Sequence, residues 1–392
     1  MRVLVLSDGI GSLDAVSATR KVQAGWTSVA HDELDAVPVS AGGPGFLRAI
    51  EANFDGNFVL CTVRGPLGQE VPASIFIAGD EHYRTAYIES AEICGLDLVP
   101  ESLRDPRKTT TIGMADALIA AAEAGATRIV VGLGGTATND GGAGMLAGLG
   151  AGPVEKLARG PLELANLEHT ELDFSAARET LAGIDLIAAC ATQAPLAGFT
   201  GASGAYSQNK GADRLMAQEL ERSLTAFANL CARVESADPP ASPGLLLNPG
   251  EPQQGVDVAQ LRLLPGSGGG GGLGFGLGLL GARLLPGSDV IATALNLRQR
   301  AAQADLIFVV TDGIDATTLG DGPLEIAVSA GVPNALATVA LARRLDAGKR
   351  ELATSGISSA YELFDTVSGV EKADEPLVLR QRVSRIARSW SR

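Results

Sequence analysis

Short apolar runs alternate along the chain with segments in which apolar residues recur every three or four positions. Apolar runs bounded by glycine, serine or aspartate are typical of buried strands, and the longer period indicates helices that pack on a sheet. The strands predicted in this way span residues 2–6, 58–63, 73–78, 129–133, 186–191 and 306–310. The predicted helices span residues 12–24 with Ser12 as N-cap, 46–53, 85–94, 114–124, 212–232, 322–331 and 379–390. The pattern predicts an α/β protein.

Residues 129–146, IVVGLGGTATNDGGAGML, combine a predicted strand with two glycine pairs. Glycines after a strand let backbone N–H groups approach an anion closely, so Gly134, Gly135 and Thr136 are candidate anion ligands. Asn139 and Asp140 follow them. Three interpretations of Asp140 are open: it binds a cation, it accepts a proton, or it caps the next helix.

Other candidate groups also lie at predicted strand ends or helix starts. Asp8 follows the first strand, and Asp312 and Asp315 follow the strand 306–310, where they could coordinate magnesium or lie in a solvated turn. Lys210 ends a glycine-rich loop, 195–212, and could bind phosphate or simply be exposed. Glu89 is equally compatible with a buried cap and with a site carboxylate.

Composition excludes several classes of function. The length of 392 residues favours two domains, and the net charge of −14 with 4% aromatic residues disfavours nucleic acid and anionic membranes as partners. The four cysteines have no metal-ligand spacing and are expected to be free thiols. The uncharged stretch 263–282 is mostly glycine, so a transmembrane helix is not predicted there. The first residues do not form a signal peptide, and we expect a cytoplasmic protein.

Several motifs, in family order over nearly the whole chain, resemble the type I glycerate kinase family of two-domain bacterial enzymes. The motifs are TAYIESAEICGL at 85–96, TTTIGMADAL at 109–118, GLGGTATNDGGAGMLAGL at 132–149, the loops 195–212 and 265–274, and GISSA at 356–360. The resemblance implies a discontinuous doubly wound domain of the flavodoxin or Rossmann type, with a second α/β domain inserted in the middle. We place the first at residues 1–64 and 285–392, because the pattern becomes rich in strands near residue 64, and the second at 65–284.

Charged positions of the family patterns are altered in this chain. The family's Asp-Ser-Phe-Lys-Gly-Ser-Leu is DGIGSL at 8–13, without the lysine, and its Asp-Gly-Gly-Glu-Gly is AGGPG at 41–45. Its Asp-Val-x-Asn-Pro-Leu is ATQAPL at 191–196, and its Gln-Lys-Gly-Ala is NKGA at 209–212. Its Gly-Glu-Gly-Arg-Ile-Asp and the following Gly-Lys are TDGID at 311–315 and Asp321-Gly322, without the arginine and the lysine.

The resemblance implies phosphorylation of D-glycerate, or of a related small hydroxy acid, with ATP and Mg²⁺, and it leaves a homo-oligomer open. The alternative is a family member that binds a small anion or a partner protein but transfers no phosphate. The expected catalytic residues are Asp140, Lys210 and Asp315, with Asp312 and Asp315 as metal ligands. The expected binding residues are Asp8, Glu89, Gly134, Gly135, Thr136, Asn139, Asn209, Gly268 and Asp312.

Overall fold

The computed structural model describes residues 1–80, 82–237, 257–315, 318–320, 322–364 and 375–391. Asp321, which belongs to one of the altered motifs, lies outside these residues. The strands are β1 (Arg2–Ser7), β2 (Glu33–Pro38), β3 (Gly56–Arg64), β4 (Glu70–Gly79), β5 (Arg84–Glu89), β6 (Arg128–Leu133), β7 (Asp185–Cys190), β8 (Arg283–Pro286), β9 (Leu306–Ile314), β10 (Ala337–Leu345) and β11 (Ser359–Glu362). The helices are α1 (Ala15–Thr27), α2 (Phe46–Glu51), α3 (Ser90–Cys94), α4 (Gly113–Glu123), α5 (Ala143–Gly148), α6 (Val154–Leu157), α7 (Ser175–Thr180), α8 (Ala202–Tyr206), α9 (Arg214–Ala237), α10 (Val258–Leu261), α11 (Gly269–Leu279), α12 (Gly287–Ala294), α13 (Leu297–Ala301), α14 (Gly322–Gly331), α15 (Lys349–Thr354) and α16 (Glu375–Trp390).

The chain divides into two compact units, and the first is built from both chain ends. The terminal unit comprises Met1–Ala41, Arg48–Phe54 and Ser288–Arg392, and the inserted unit comprises Gly42–Leu47 and Asp55–Gly287. The main boundary therefore precedes the predicted one at residue 65, because β3 pairs along its whole length with β4 and belongs to the inserted sheet.

The terminal unit contains a parallel sheet whose described strands have the order β11-β10-β9-β1-β2. Counted within this unit, the order is 2-1-3-4-5, which is that of flavodoxin-like doubly wound domains. The strand order reverses between β1 and β9. In such sheets ligands bind at the carboxyl ends of the strands beside this reversal.

Both faces of the terminal sheet are covered by helices. On one face the ring of Phe308 from β9 packs against the ring of Trp26 from α1, with centroids 5.3 Å apart, and α16 packs in the same layer. On the other face α14 packs against β9. The predicted terminal helix is thus confirmed, and it packs within this unit.

The inserted unit contains a mixed sheet whose described strands have the order β3-β4-β5-β6-β7-β8. The pairs β3–β4 and β4–β5 are antiparallel, and the pairs from β5 to β8 are parallel. The helix predicted over residues 85–94 is wrong in its first half, where β5 lies. Ala86 and Ile88 alternate into the core there, and pairing with β4 and β6 overrides the local preference for helix.

Most of the glycine-rich stretch 263–282, from residue 266 to residue 279, is buried in the inserted unit. It contains α11, whose residues are all buried, and three left-handed glycines lie at the start of this helix. Among the described residues, no helix has the length and apolar character needed to cross a membrane.

Helix α1 differs from its prediction at both ends. Its N-cap is Asp14, whose Oδ1 accepts a hydrogen bond of 2.7 Å from the Ser17 N–H, and not Ser12. Gly25, the predicted stop, lies inside the helix. Ser384 Oγ donates a hydrogen bond of 2.8 Å to the Gly25 carbonyl, and a Cβ on Gly25 would lie 2.6 Å from the Arg380 carbonyl oxygen. The absence of a side chain at Gly25 therefore lets α1 and α16 pack closely.

We expect Gly25→Ala to lower the unfolding temperature of the protein. Alanine favours an isolated helix by about 1 kcal/mol, but overpacking against a backbone carbonyl costs about 1–3 kcal/mol. Gly320→Ala is the control, because a Cβ there meets nothing within 4 Å. A Gly25→Ala protein that unfolds at or above the wild-type temperature would show that the two helices can separate at no cost.

Candidate functional site

A cavity of about 200 Å³ lies in the inserted unit at the carboxyl ends of β6 and β7. It gathers six of the predicted site residues, together with Leu96, Leu133, Ala191, Thr192, Tyr206, Gly270 and Gly271. The six are Gly134, Gly135, Thr136, Asn209, Lys210 and Gly268. A larger cavity of about 790 Å³ in the terminal unit lies among α12, α13 and α14 and is lined by no predicted site residue.

Lys210 is the charged side chain of this cavity. It ends a 3₁₀ turn, Ser207–Lys210, and Gly211 follows in the left-handed conformation with φ 96°. Its Nζ donates to the Thr138 carbonyl at 2.6 Å and to Thr136 Oγ1 at 3.3 Å. Burial lowers the pKa of Lys210 to about 8, although attraction to Cys94 and Asp140 opposes the shift. Lys210 is therefore mostly a cation at pH 7.

Three glycines whose conformation frees their backbone N–H groups, Gly135, Gly270 and Gly271, line the same cavity. Gly270 and Gly271 have φ values of 63° and 72°, and a Cβ on Gly271 would collide with the Thr138 carbonyl. No acceptor among the described residues takes the N–H groups of Gly135, Gly270 and Gly271. Unpaired N–H groups beside a lysine are a usual binding site for a phosphate or carboxylate.

Asp140 is fully buried and bonded to backbone and hydroxyl groups of the inserted unit. Its Oδ2 accepts from Thr111 N at 2.8 Å, Thr111 Oγ1 at 2.9 Å and Gly144 N at 3.2 Å, and its Oδ1 accepts from Gly142 N at 3.1 Å. Burial raises the pKa of Asp140, and these four hydrogen bonds oppose the shift. Of the three interpretations, the contacts favour capping, since Asp140 does not line the cavity.

Asn139 is also buried next to the cavity wall and does not line it. Its Nδ2 donates to Ser203 Oγ at 3.0 Å, and its Oδ1 has no hydrogen-bond partner among the described residues. The side chain therefore ties the loop after β6 to α8.

Glu89 ends β5 and holds the loop Gly42–Leu47. Its Oε1 accepts from Gly45 N at 2.9 Å, and its Oε2 accepts from Leu47 N at 3.0 Å. Burial raises the pKa of Glu89, and these two N–H groups lower it. Of the two interpretations of Glu89, these contacts favour the buried cap.

The predicted carboxylates of the terminal unit lie where its strand order reverses. Asp8 follows β1 and Asp312 lies on β9, the neighbouring strand. Burial raises the pKa of Asp8 to about 6, the Gly9 N–H lowers it, and the Asp312 carboxylate raises it further. Asp315 lies beyond β9, and its Oδ1 accepts from Thr318 N at 3.1 Å. Asp312 is thus close enough to Asp8 for the two carboxylates to interact electrostatically, whereas Asp315 bonds within its own turn.

The described residues contain no group of three or more His, Cys, Asp or Glu side chains that could hold a metal ion. Magnesium, however, is often bound by one or two carboxylates together with substrate phosphates. The pair Asp8 and Asp312 matches that donor set.

Three residues of the site and its support, Thr111, Thr192 and Tyr206, are not predicted from the sequence. Thr111 lies in a run of three threonines before α4, a visible signal whose partner, Asp140, is 29 residues away. Thr192 and Tyr206 line the cavity and lie 14 positions apart. They belong to the motifs at 191–196 and 195–212, but neither motif marks their hydroxyl groups as partners.

Three comparisons relate the chain to known proteins. A model of the glycerate kinase family matches residues 3–391. A glycerate kinase of Halalkalibacterium halodurans is 31% identical, with 97% of this chain and 96% of that protein covered, and a glycerate 2-kinase of Escherichia coli K12 is 33% identical, with 83% and 81% covered. A solved structure assigned as glycerate kinase 2 from Salmonella typhimurium LT2 is 28% identical with a TM-score of 0.74, and 99% and 98% of the two chains are covered.

We expect Asp140→Asn to destabilise the inserted unit. The amide would place an NH₂ group against one of the N–H donors that now face the carboxylate, and an unsatisfied buried donor costs about 1–3 kcal/mol. Denaturant unfolding would measure the change. Asp173→Asn is the control, because Asp173 is exposed and caps the start of α7, where asparagine serves equally well. Equal stability of the two variants would contradict a structural role for Asp140.

We expect the cavity to bind sulfate, and the affinity to fall as the pH rises. With a pKa of about 8, Lys210 loses its charge above that pH, so sulfate affinity at pH 9 should be about tenfold below that at pH 7. Burial raises the pKa of the neighbouring Cys94 to about 12, so Cys94 stays protonated over this range. Titration calorimetry measures the affinity. Lys210→Met should remove the binding and Lys156→Met should not, because Lys156 pairs with Glu171 outside the cavity. A pH-independent affinity would contradict the role of Lys210.

Proposed function

Because the chain belongs to the glycerate kinase family, we propose that it transfers a phosphoryl group from ATP to D-glycerate or a related small hydroxy acid. The observation that carries the proposal is the cavity lined by Lys210 and by Gly135, Gly270 and Gly271, whose N–H groups have no acceptor among the described residues. Such a set of fixed donors suits a group that carries negative charge throughout the reaction.

In this proposal Lys210 and the glycine N–H groups bind the transferred phosphoryl group. Two of the three Nζ hydrogens of Lys210 bond to Thr136 and Thr138, which leaves one for a ligand. Phosphoryl transfer depends mainly on positioned phosphates and on stabilisation of charge on the equatorial oxygens. Donors held by a rigid backbone need no reorganisation when that charge shifts.

Asp140 acts through position and not by taking a proton. Its carboxylate joins the residues before α4 to the start of α5, and so fixes the loop that carries Gly135 and Thr136. A transition state that is largely dissociative needs little help from a base at the attacking hydroxyl. Alignment of the acceptor hydroxyl therefore matters more than its deprotonation.

The carboxylates of Asp8 and Asp312 are the proposed ligands of Mg²⁺ in the terminal unit. The proximity of Asp312 contributes to the raised pKa of Asp8, so a cation bound there would favour the charged form of Asp8. When bound with a nucleotide, Mg²⁺ supplies neutralisation of phosphate charge. Asp315 and Thr318 hold the turn after β9, which supports the backbone around Asp312.

The test is release of ADP from the purified protein with Mg-ATP and D-glycerate. We expect glycerate-dependent release, and we expect Lys210→Met to lower kcat/KM about 10²–10³-fold, the usual loss on removing one charge-stabilising group. Lys156→Met is the matched control and should retain wild-type turnover.

Absence of glycerate-dependent ADP release at high protein concentration would contradict the kinase proposal. It would favour the alternative of a family member that binds small anions without phosphoryl transfer. Asp140→Asn, assayed at a temperature where it is folded, should keep a measurable rate. Complete loss in a folded variant would instead make Asp140 a direct participant.

A further inference from the structure

Two hydroxyl groups face each other at the cavity and have no part in the function proposed so far. Thr192 lies just beyond β7, and Tyr206 ends α8. Thr192 Oγ1 and the Tyr206 phenolic oxygen are 2.6 Å apart, and both residues line the cavity with Lys210. Thr192 is half-buried and Tyr206 is 37% exposed, so the pair is accessible from the cavity.

A count of hydrogens shows what this pair offers to a ligand. Two hydroxyl groups carry two hydrogens, and their mutual bond uses one of them. Thr192 Oγ1 also accepts from Ala194 N at 3.2 Å. Whichever hydroxyl donates in the mutual bond, one hydroxyl hydrogen is left, and the Tyr206 oxygen can still accept. The pair is therefore an uncharged donor and acceptor next to a cation.

The charge of the cavity wall limits the kind of ligand. Lys210 is the one charged side chain among the described residues that line the cavity, and Leu96, Leu133 and Ala191 are apolar. With about 200 Å³ available, the space suits one small anionic group at Lys210 and, beside it, an acceptor molecule that offers uncharged polar groups. A hydroxyl group on such a molecule needs a partner that is neither charged nor apolar, and the Thr192–Tyr206 pair supplies it.

We propose that the paired hydroxyls of Thr192 and Tyr206 select the acceptor by hydrogen-bonding the hydroxyl group of a dihydroxy acid that is not phosphorylated. This inference rests on the function proposed above, because it assigns a specificity element to the same cavity. A site built to hydrogen-bond a ligand hydroxyl rejects an analogue that lacks it, since the site's own polar groups would be left unpaired. The pair thus distinguishes a dihydroxy acid from a monohydroxy acid of similar size.

The test measures binding of D-glycerate, D-lactate and 3-hydroxypropionate by calorimetry, in the wild type and in Thr192→Val, Tyr206→Phe and the double variant. Each monohydroxy acid lacks one of the two hydroxyl groups of glycerate. In the wild type we expect glycerate to bind about tenfold more tightly than the acid that lacks the recognised hydroxyl. Either single variant keeps one hydroxyl, so we expect it to lose part of the preference for glycerate. The double variant should bind glycerate and the acid that lacks the recognised hydroxyl equally tightly. Tyr83→Phe is the control, because Tyr83 is 79% exposed and does not line the cavity.

Three results would overturn the inference. A wild type that binds glycerate and both monohydroxy acids equally has no such selection. If the double variant binds all three acids more weakly by the same factor, the pair acts through Lys210. If the double variant keeps the wild-type preference for glycerate, the pair does not select the acceptor.

The assay of ADP release separates these failures from failure of the proposed function. If the double variant transfers the phosphoryl group and keeps the wild-type preference for glycerate, only the inference about Thr192 and Tyr206 is wrong. If the wild type binds glycerate selectively but transfers no phosphoryl group, the kinase proposal is wrong and the inference about Thr192 and Tyr206 holds. A wild type that binds none of the three acids would remove both.

Discussion

The cavity of the inserted unit depends on one buried carboxylate. Asp140 accepts four hydrogen bonds from Thr111, Gly142 and Gly144, which lie on both sides of it in the chain. Burial disfavours the charged form of a carboxylate, and hydrogen bonds to it oppose that effect. Three of the four donors are backbone N–H groups and the fourth is the Thr111 hydroxyl, so Asp140 also fixes their positions. The loop from Gly134 to Asp140 is consequently rigid without contributing a carboxylate to the cavity itself.

Glycines of this unit hold backbone N–H groups that have no acceptor among the described residues. Gly271 approaches the Thr138 carbonyl more closely than any residue with a side chain could, and Gly270 and Gly271 both have positive φ. This conformation turns their N–H groups away from the helical pattern of α11. Lys210 bonds to Thr136 and Thr138 of the facing loop, so one cation and several amides are held around the same space.

Much of this architecture could be predicted from the sequence, because it rests on local periodicity. The apolar runs gave β1, β6, β7 and β9, and the glycine-rich stretch 129–146 marked the cavity wall. The roles of Asp140 and Glu89 could not be predicted, because their partners are distant: Thr111 is 29 positions from Asp140, and Leu47 is 42 from Glu89. β5 was mistaken for a helix because its pairing with β4 and β6 decides its conformation. Thr192 and Tyr206 are ordinary residues until the fold brings their hydroxyl groups within 2.6 Å.

The discontinuous terminal unit has a consequence for the order of folding. β1 lies inside its sheet and pairs with β9, whose residues leave the ribosome some 300 positions later. The inserted unit is nearly contiguous, from Asp55 to Gly287, so all its strands are available before β9 is synthesised. Domains fold as units during synthesis, and a pairing between distant segments closes a long loop at a cost that grows slowly with length. The inserted unit therefore folds first, and the apolar strand β1 remains without its partner β9 until β9 has been synthesised.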